Sequence, residues 1–335
     1  MNIETTIRGA VLGLVTGDAL SAPSSAHRIP LLAPKRAARM RSLSEYADNQ
    51  RQTTRPYPYT HAQPNWLLHP GPSDDVEWFT FSAENFLSKD DPALAWKNLA
   101  KKRETILART GTKIALKNLA DGLNPPQSGH DNPHYFDDIA MPRSLAASLL
   151  CFKDEQKLSV FVQRDAEVTH SEDGVFCALA FAHFAAALIR EESLSNATEA
   201  ALAMLPRGSW SRRIVEAALL ETKNESDLFT RVITLERRAI ENIYAFPVSA
   251  PETLALLLSH AIHAKNAHEL TLSALSHKRK LDSLPALAGA IAGIRFGDEW
   301  IPAQFKSGVE LAGVCIPDFK GKKIDPLIES LIHGI

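Results

Sequence analysis

The feature that most constrains the fold is an apolar run at residues 174–189, with the sequence GVFCALAFAHFAAALI. Apolar residues occupy nearly every face of this segment, and a helix of that kind is stable only when it is buried. A second segment at residues 284–294, LPALAGAIAGI, is rich in alanine and glycine, whose small side chains let helices approach closely. We therefore expect both segments to be central helices surrounded by others.

The rest of the chain also shows helical periodicity. Apolar residues at helical spacing mark one face of a first helix and one face of another: Ile3, Ile7, Ala10 and Leu14, then Val76, Phe79, Ala83, Phe86 and Leu87. Three pairs have capping-box spacing, namely Asp74 with Glu77, Thr169 with Glu172, and Ser249 with Glu252, and the last predicts a helix over 252–264. Period-two alternation and Asn-Gly or Asp-Gly hairpin signals are scarce, so the sequence predicts an all-α fold.

Size and charge narrow the class of protein. The chain has 335 residues, without an internal repeat or a low-complexity linker, and we expect one domain spanning residues 1–335. The net charge of −2 provides no basic field for nucleic acid or an anionic membrane. No run reaches the ~18 apolar residues of a membrane span, and Glu4 and a short apolar stretch argue against a secretory signal. We expect a cytoplasmic protein.

The cysteines do not form a framework. Cys151, Cys177 and Cys315 are far apart and form no CxxC pair, so neither a disulfide framework nor a metal–thiolate site is expected.

Two irregular stretches interrupt the helical pattern. Residues 24–72 and 122–138 are rich in proline and polar residues, and both end at acidic residues. Long loops in compact domains are usually functional or disordered. We predict that the two stretches border a shared pocket.

Acidic and hydroxyl residues recur where helices are predicted to begin. Ser73-Asp74-Asp75 and Asp282-Ser283 each precede a helical segment. Taken alone, each is more typical of a helix N-cap, although adjacent carboxylates also suit Mg²⁺. Asp18 lies near the end of the first helix, where the dipole disfavours a negative charge, and this placement indicates function.

Two further segments carry candidate residues. Asp137-Asp138 is followed closely by Arg143, which alone would indicate a loop-to-helix junction with a surface ion pair. Thr169-His170 opens the apolar helix, and a histidine there is more often structural than catalytic.

These segments together resemble the ADP-ribosylglycohydrolase family. Residues 9–23, GAVLGLVTGDALSAP, resemble its opening signature, and Ser73-Asp74-Asp75-Val76 resembles its Thr-Asp-Asp-Thr metal motif. Residues 138–143 (DIAMPR) occupy the place of its central loop before Met-x-Arg, and Thr169-His170 matches its Thr-His helix start. Asp282-Ser283 resembles the end of its last motif, Asp-x-Asp-Thr. The matches occur in the family's order between residues 9 and 302.

The resemblance implies an orthogonal all-α bundle with two Mg²⁺ or Mn²⁺ ions in a cleft, where a bond at the anomeric carbon of ribose is hydrolysed. By correspondence with the motifs, the metal ligands are Ser73, Asp74, Asp75, Asp282 and Ser283, with Asp74 and Asp75 also catalytic. The residues expected at the substrate are Asp18, Asp138, Met141, Arg143 and His170.

The sequence departs from the family pattern at three places. Val76 stands where a second threonine is usual, and Lys280 stands where the last motif has its first aspartate. We expect Lys280 either to replace part of one ion's charge, leaving one ion or one tight and one weak, or to point to solvent. Glu45 is the one glutamate in the long 24–72 loop, from which some family members draw a catalytic glutamate.

Three functions are compatible with these residues. The first is Mg²⁺-dependent release of ADP-ribose from a modified protein. The second is hydrolysis of a small ribosyl compound, with a base stacked on Tyr57, Tyr59 or Trp66 of the long loop. The third is a catalytically inactive relative that binds ADP-ribose, which Lys280 favours and the retained aspartates oppose.

Overall fold

A computed structural model of the chain describes residues 2–21, 71–88, 91–241, 246–277 and 280–335. These ranges form an all-α bundle, as the periodicity predicts, with two isolated β-bridges, Asp137 with Ser249 and Glu310 with Lys323. Glu45, Tyr57, Tyr59 and Trp66 lie outside the described residues.

Fifteen α-helices occur in the described ranges. They are α1 (Ile3–Ser21), α2 (Asp74–Ser88), α3 (Pro92–Ala100), α4 (Thr110–Ala120), α5 (Gln127–His130), α6 (Ala140–Cys151), α7 (Glu155–Ala166), α8 (Glu172–Ile189), α9 (Leu194–Ala203), α10 (Trp210–Thr222), α11 (Leu228–Arg238), α12 (Ala250–His263), α13 (Ala267–Leu275), α14 (Leu284–Phe296) and α15 (Asp325–His333).

The apolar run at 174–189 lies in α8, a central helix. Almost all of its side chains are buried, and it packs against α6, α7 and α9. By length and composition α8 could cross a membrane, but 83% of it is buried inside the protein, as expected of a core helix. The predicted central helix is confirmed.

The alanine- and glycine-rich helix α14 packs along the whole of α1. Gly9 lies opposite Gly293, Gly13 opposite Gly289, and Gly17 opposite Pro285, so the two helices run antiparallel. A Cβ atom added at Gly13 would lie 2.1 Å from the carbonyl oxygen of Gly289, which means that the two backbones are in direct contact. This antiparallel contact places the end of α1 beside the start of α14.

The three predicted capping boxes are wrong, because two of the glutamates make tertiary contacts instead and the third helix has a different N-cap residue. Glu77 accepts hydrogen bonds from three consecutive backbone N–H groups, those of Val314, Cys315 and Ile316, at 2.6–2.9 Å. Glu252 accepts from the N–H of Glu241 and forms an ion pair with Lys280. The remaining box fails because α8 has Ser171 rather than Thr169 as its N-cap residue.

Arg143 is the centre of a buried polar network. Its Nε donates to Asp165 Oδ2 at 2.9 Å and its Nη1 donates to Thr169 Oγ1 at 2.8 Å. Asp165 also accepts from the indole N–H of Trp96 at 3.1 Å and from Ser82. The network joins α2, α3, α6 and α7 beneath the apolar helix α8.

A second buried network contains two histidines. Arg231 Nε donates to His260 Nδ1 at 3.2 Å, so a neutral His260 carries its proton on Nε2. That nitrogen lies 2.7 Å from His277 Nε2, and His277 Nδ1 lies 2.7 Å from a carboxylate oxygen of Glu236. Burial, the neighbouring His277 and Arg231 all lower the pKa of His260 well below its ordinary value.

Candidate active site

Three helix ends meet at an acidic cluster. The last turn of α1 carries Asp18, the first turn of α2 carries Asp74 and Asp75, and Asp282 and Ser283 directly precede α14. Asp18, Asp74 and Asp75 are buried, and one carboxylate oxygen from each lies within 4.8 Å of the others. The antiparallel packing of α1 and α14 therefore brings together residues more than 260 positions apart in the sequence.

Asp18 is held in place by the start of α2. Its Oδ2 accepts from the backbone N–H groups of Ser73 at 2.6 Å and Val76 at 3.2 Å, and its Oδ1 accepts from the Ser73 hydroxyl. The positive end of the α2 dipole thus stabilises a charge that the end of α1 disfavours. This contact resolves the unfavourable placement seen in the sequence. Contact of Asp18 with substrate stays a prediction.

Asp75 is fully buried, and one of its two carboxylate oxygens accepts no hydrogen bond from the described residues. Its Oδ1 accepts from the Ser283 hydroxyl at 2.7 Å, whereas its Oδ2 has no hydrogen-bond partner among the described residues. Burial, and next the charge of Asp74, raise the pKa of Asp75 well above its ordinary value. The predicted pair of Asp74 and Asp75 therefore lies at the centre of the cluster.

Asp137 and Asp138 have different surroundings, although they are adjacent. Asp138 faces the cluster, where its Oδ2 accepts from the Thr253 hydroxyl at 2.7 Å and its Oδ1 lies 3.2 Å from Ser283 Oγ. Asp137 lies with its Oδ1 2.9 Å from His170 Nε2 and lines the cavity beside the cluster. The structure thus places Asp138 at the cluster and makes Asp137 a partner of His170, and contact of Asp138 with substrate stays a prediction.

Arg109 is the main residue of the site that the sequence analysis missed. Its guanidinium donates to Asp74 Oδ2 at 3.0 Å and to Ser283 Oγ at 2.9 Å, and it forms an ion pair with Asp138. Its Nη2 also lies 3.5 Å from Asp75 Oδ1 and 3.6 Å from Asp282 Oδ2. No motif surrounds Arg109, but a cluster of buried carboxylates requires a cation, and that requirement was the available signal.

Lys280 is in neither of its expected positions. It is buried, so it does not point to solvent, and its ammonium forms an ion pair with Glu252 and donates to the Phe246 carbonyl at 3.0 Å. Burial lowers the pKa of Lys280, although Glu252 opposes the shift. Arg109, rather than Lys280, is the cation that contacts the aspartates of the cluster, and the number of ions stays a prediction.

Two residues predicted at the substrate lie in the interior. Met141 and Arg143 are fully buried in α6, and the Arg143 guanidinium is engaged by Asp165 and Thr169. Neither residue lines the cavity beside the acidic cluster. Their contact with substrate stays a prediction.

His170 lies outside that cavity too. It is held between Thr169 Oγ1, 2.6 Å from its Nδ1, and Asp137, and it borders a separate cavity of about 710 Å³. Its predicted place at the distal part of the substrate site stays a prediction.

The cavity beside the acidic cluster has a volume of about 290 Å³. Its charged lining residues are Asp74, Arg109, Lys113, Asp137 and Asp282. Its apolar lining residues include Leu107, Phe246, Val248 and Cys315. A cavity that combines an apolar lining with a few convergent polar groups is typical of a small-molecule site. The 24–72 stretch, which was predicted to border a shared pocket, lies largely outside the described residues, so this stays a prediction.

The donor set fits a divalent cation. Carboxylate oxygens are the ligands that Mg²⁺ and Mn²⁺ prefer. The triad of Asp18, Asp74 and Asp75 offers three of them within 4.8 Å, and Asp75 Oδ2 is buried without a hydrogen-bond partner among the described residues. The triad is the part of the cluster that an ion can enter.

Comparison with known proteins supports the same family as the motifs. The family model described as ADP-ribosylglycohydrolase matches residues 1–335. A solved structure titled "ADP-ribosylglycohydrolase-related protein complex" is 20% identical, with a TM-score of 0.62, covering 99% of this chain and 98% of that one. At this identity the likeness shows the fold, which confirms the expected bundle type. No curated protein matches the sequence.

Proposed function

This chain belongs to the ADP-ribosylglycohydrolase family, and from that premise we propose that it is a metal-dependent hydrolase that removes ADP-ribose from a modified substrate. Membership assigns hydrolysis of a glycosidic bond as the general activity. The observation that supports metal dependence is the buried triad of Asp18, Asp74 and Asp75, of which Asp74 lines the 290 Å³ cavity. We propose Mg²⁺, or Mn²⁺, as the ion.

The ion, when bound, supplies a Lewis acid that can hold hydroxyl groups of the ribose and lower the pKa of a water molecule. Asp74 and Asp75 are the residues of this chain that would hold it, with Asp18 beside them. Asp282 and Ser283, which the motif predicts as ligands, have Arg109, Asp75 and Asp138 as their described partners, so we propose that they position Arg109 and Asp75 beside the ion.

Asp75 is the proposed general base. Its Oδ2, which has no hydrogen-bond partner among the described residues, is the oxygen that would meet the ion and the water molecule beside it, since its Oδ1 already accepts from Ser283. Burial, and next the charge of Asp74, raise the pKa of Asp75 when no ion is bound. The remaining carboxylates stabilise positive charge that develops at the anomeric carbon as the glycosidic bond breaks.

The apolar wall of the cavity assists the same reaction. Phe246 and Val248 shield part of the cavity from water, whereas Leu107 is 40% exposed. Charge interactions are stronger in such a partly dry site than in bulk water. The wall also gives a ribose ring or an attached base an apolar surface to pack against.

A second candidate is hydrolysis of a small ribosyl compound such as a nucleoside. The observation that favours it is the cavity volume of about 290 Å³, at the lower limit of the roughly 300–1,000 Å³ typical of ligand pockets. A ribosylated base fills such a volume more readily than a complete ADP-ribose does.

The test is a substrate panel with and without metal. The protein, freed of metal with a chelator, is given Mg²⁺ or Mn²⁺ and tested on ADP-ribosylated arginine, ADP-ribosylated serine and a set of nucleosides. Release of ADP-ribose only with metal supports the proposal, and release of free ribose from nucleosides alone supports the second candidate. Absence of turnover on every substrate, together with thermal stabilisation by ADP-ribose, would overturn both in favour of a binding protein.

Variants assign the reaction to the site. Asp74→Asn and Asp282→Asn are expected to abolish metal-dependent turnover, whereas Asp121→Asn, at an exposed ion pair with Lys117, is the matched control and should keep it. Unchanged activity in both site variants would refute the assignment.

A further inference from the structure

We propose that the acidic cluster holds a single divalent cation, on the triad of Asp18, Asp74 and Asp75, because the Arg109 guanidinium permanently occupies the side formed by Asp138, Asp282 and Ser283. The inference rests on the proposed metal dependence of the site. It gives Arg109 the role of a built-in cation that positions the aspartates and sets the number of ions.

The two sides of the cluster share the pair Asp74 and Asp75. Towards Arg109, Asp74 Oδ2 accepts from Nη2 at 3.0 Å and from Nε at 3.2 Å, and Asp75 Oδ1 accepts from Ser283 at 2.7 Å. Asp75 Oδ2 is buried with no hydrogen-bond partner among the described residues, and one carboxylate oxygen each of Asp18, Asp74 and Asp75 lies within 4.8 Å of the others. One face of the carboxylate pair is therefore engaged, and the other has an acceptor to offer.

The guanidinium occupies its side of the cluster. It contacts four carboxylates and the Ser283 hydroxyl, and its side chain is only 10% exposed. Its planar fork of five N–H donors suits several carboxylates at once, and it does not lose its charge at accessible pH. An ion placed between Asp138 and Asp282 would meet the guanidinium at contact distance and be repelled by it.

The path of Arg109 is fixed from behind. Arg109 directly precedes α4, and its carbonyl accepts the N–H of Lys113 in the first turn of that helix at 3.0 Å. Its neighbour Leu107 donates its N–H to the Cys315 carbonyl at 3.0 Å. The backbone of Arg109 is thus anchored and its guanidinium is hydrogen-bonded. Its positive charge therefore has a fixed position, as the charge of a bound ion would.

Lys280 cannot take over this role. Its ammonium is paired with Glu252 and bonded to the Phe246 carbonyl. Removal of the Arg109 head group is therefore expected to leave a vacant, strongly acidic side that a second ion can enter.

The experiment counts ions rather than turnover. Full-length protein is titrated with Mn²⁺ and followed by calorimetry and by electron paramagnetic resonance, which distinguishes an isolated ion from a coupled pair. We expect one Mn²⁺ per wild-type chain with an isolated-ion spectrum. We expect two per chain, with the spectrum of a coupled pair, in Arg109→Met, which keeps length and loses charge.

Controls separate the possible failures. Arg109→Lys keeps a positive charge and should bind one ion, and Arg164→Met changes an exposed arginine and should match the wild type. Two ions on the wild-type chain, or no second ion on a folded Arg109→Met variant, would overturn the inference. If Arg109→Met does not fold, the wild-type count decides. If the wild-type chain binds no Mn²⁺, or if Asp74→Asn does not reduce the binding, the proposed metal dependence is overturned as well.

Discussion

Replacement of Gly13 by alanine tests the backbone contact between α1 and α14. The new Cβ atom would lie 2.1 Å from the carbonyl oxygen of Gly289 and 2.8 Å from its carbonyl carbon. A comfortable contact needs about 3.5 Å, so the helices have to separate by roughly 1 Å. Both obstructing atoms belong to backbone inside a buried helix, and neither can rotate away.

Two opposing effects set the magnitude. Overpacking of a core costs about 1–3 kcal/mol. Because the backbone opposite Gly13 is rigid, we take the upper value of about 3 kcal/mol for the cost of the added methyl group. Alanine is the better helix former and returns about 1 kcal/mol in a helix interior. We therefore expect Gly13→Ala to lower the free energy of unfolding by about 2 kcal/mol. The same separation moves Asp18 relative to Asp282, so metal affinity should fall with it.

Urea unfolding followed by circular dichroism measures the loss, with the slope of the transition checked for two-state behaviour. Gly71→Ala is the control, because a Cβ there meets nothing within 4 Å, and we expect a change within about 0.5 kcal/mol. A Gly13→Ala variant as stable as the wild type, or more stable, would show that the two backbones are not in contact.

Three further outcomes follow from buried charges. Asp165→Asn should lower the free energy of unfolding by about 3–5 kcal/mol, since it leaves a buried guanidinium unpaired, and urea unfolding measures it. Glu77→Gln should cost about 1–3 kcal/mol, measured in the same way, because one amide oxygen cannot serve three N–H donors; Asp121→Asn is the surface control for both. Burial and His277 hold the pKa of His260 below 6.5, so the unfolded chain binds the proton more readily and stability should fall as pH drops below that value. The slope for one proton is at most about 1.4 kcal/mol per pH unit, and a folded His260→Gln variant should lessen it; an unchanged slope would contradict this account.

Much of the fold could be predicted because it depends on local pattern. The apolar run of α8 and the small residues of α14 each dictate a buried helix, whatever surrounds them. The order of the motifs then placed Asp74, Asp75 and Asp282 in one cluster. These conclusions needed only the identity and spacing of residues along the chain.

The errors share one physical cause, which is competition between local and distant partners. Glu77 and Glu252 have capping spacing, yet each finds a partner elsewhere that local sequence does not reveal. Arg143 was expected at the substrate, but the carboxylate of Asp165 holds it in the interior. Arg109 was missed because nothing near it in the sequence signals the aspartates that it contacts.

The hydrogen bonds of Glu77 have a consequence for how the protein is made. The three N–H groups that donate to its carboxylate lie 237 to 239 residues further along the chain. Asp18 and Asp74 likewise leave the ribosome long before α14 can join them, and contacts of such separation form late in folding. A nascent chain therefore exposes these carboxylates to water, where they help to keep it soluble. The acidic cluster is complete only after Asp282 and Ser283 have been synthesised, more than 260 residues after Asp18.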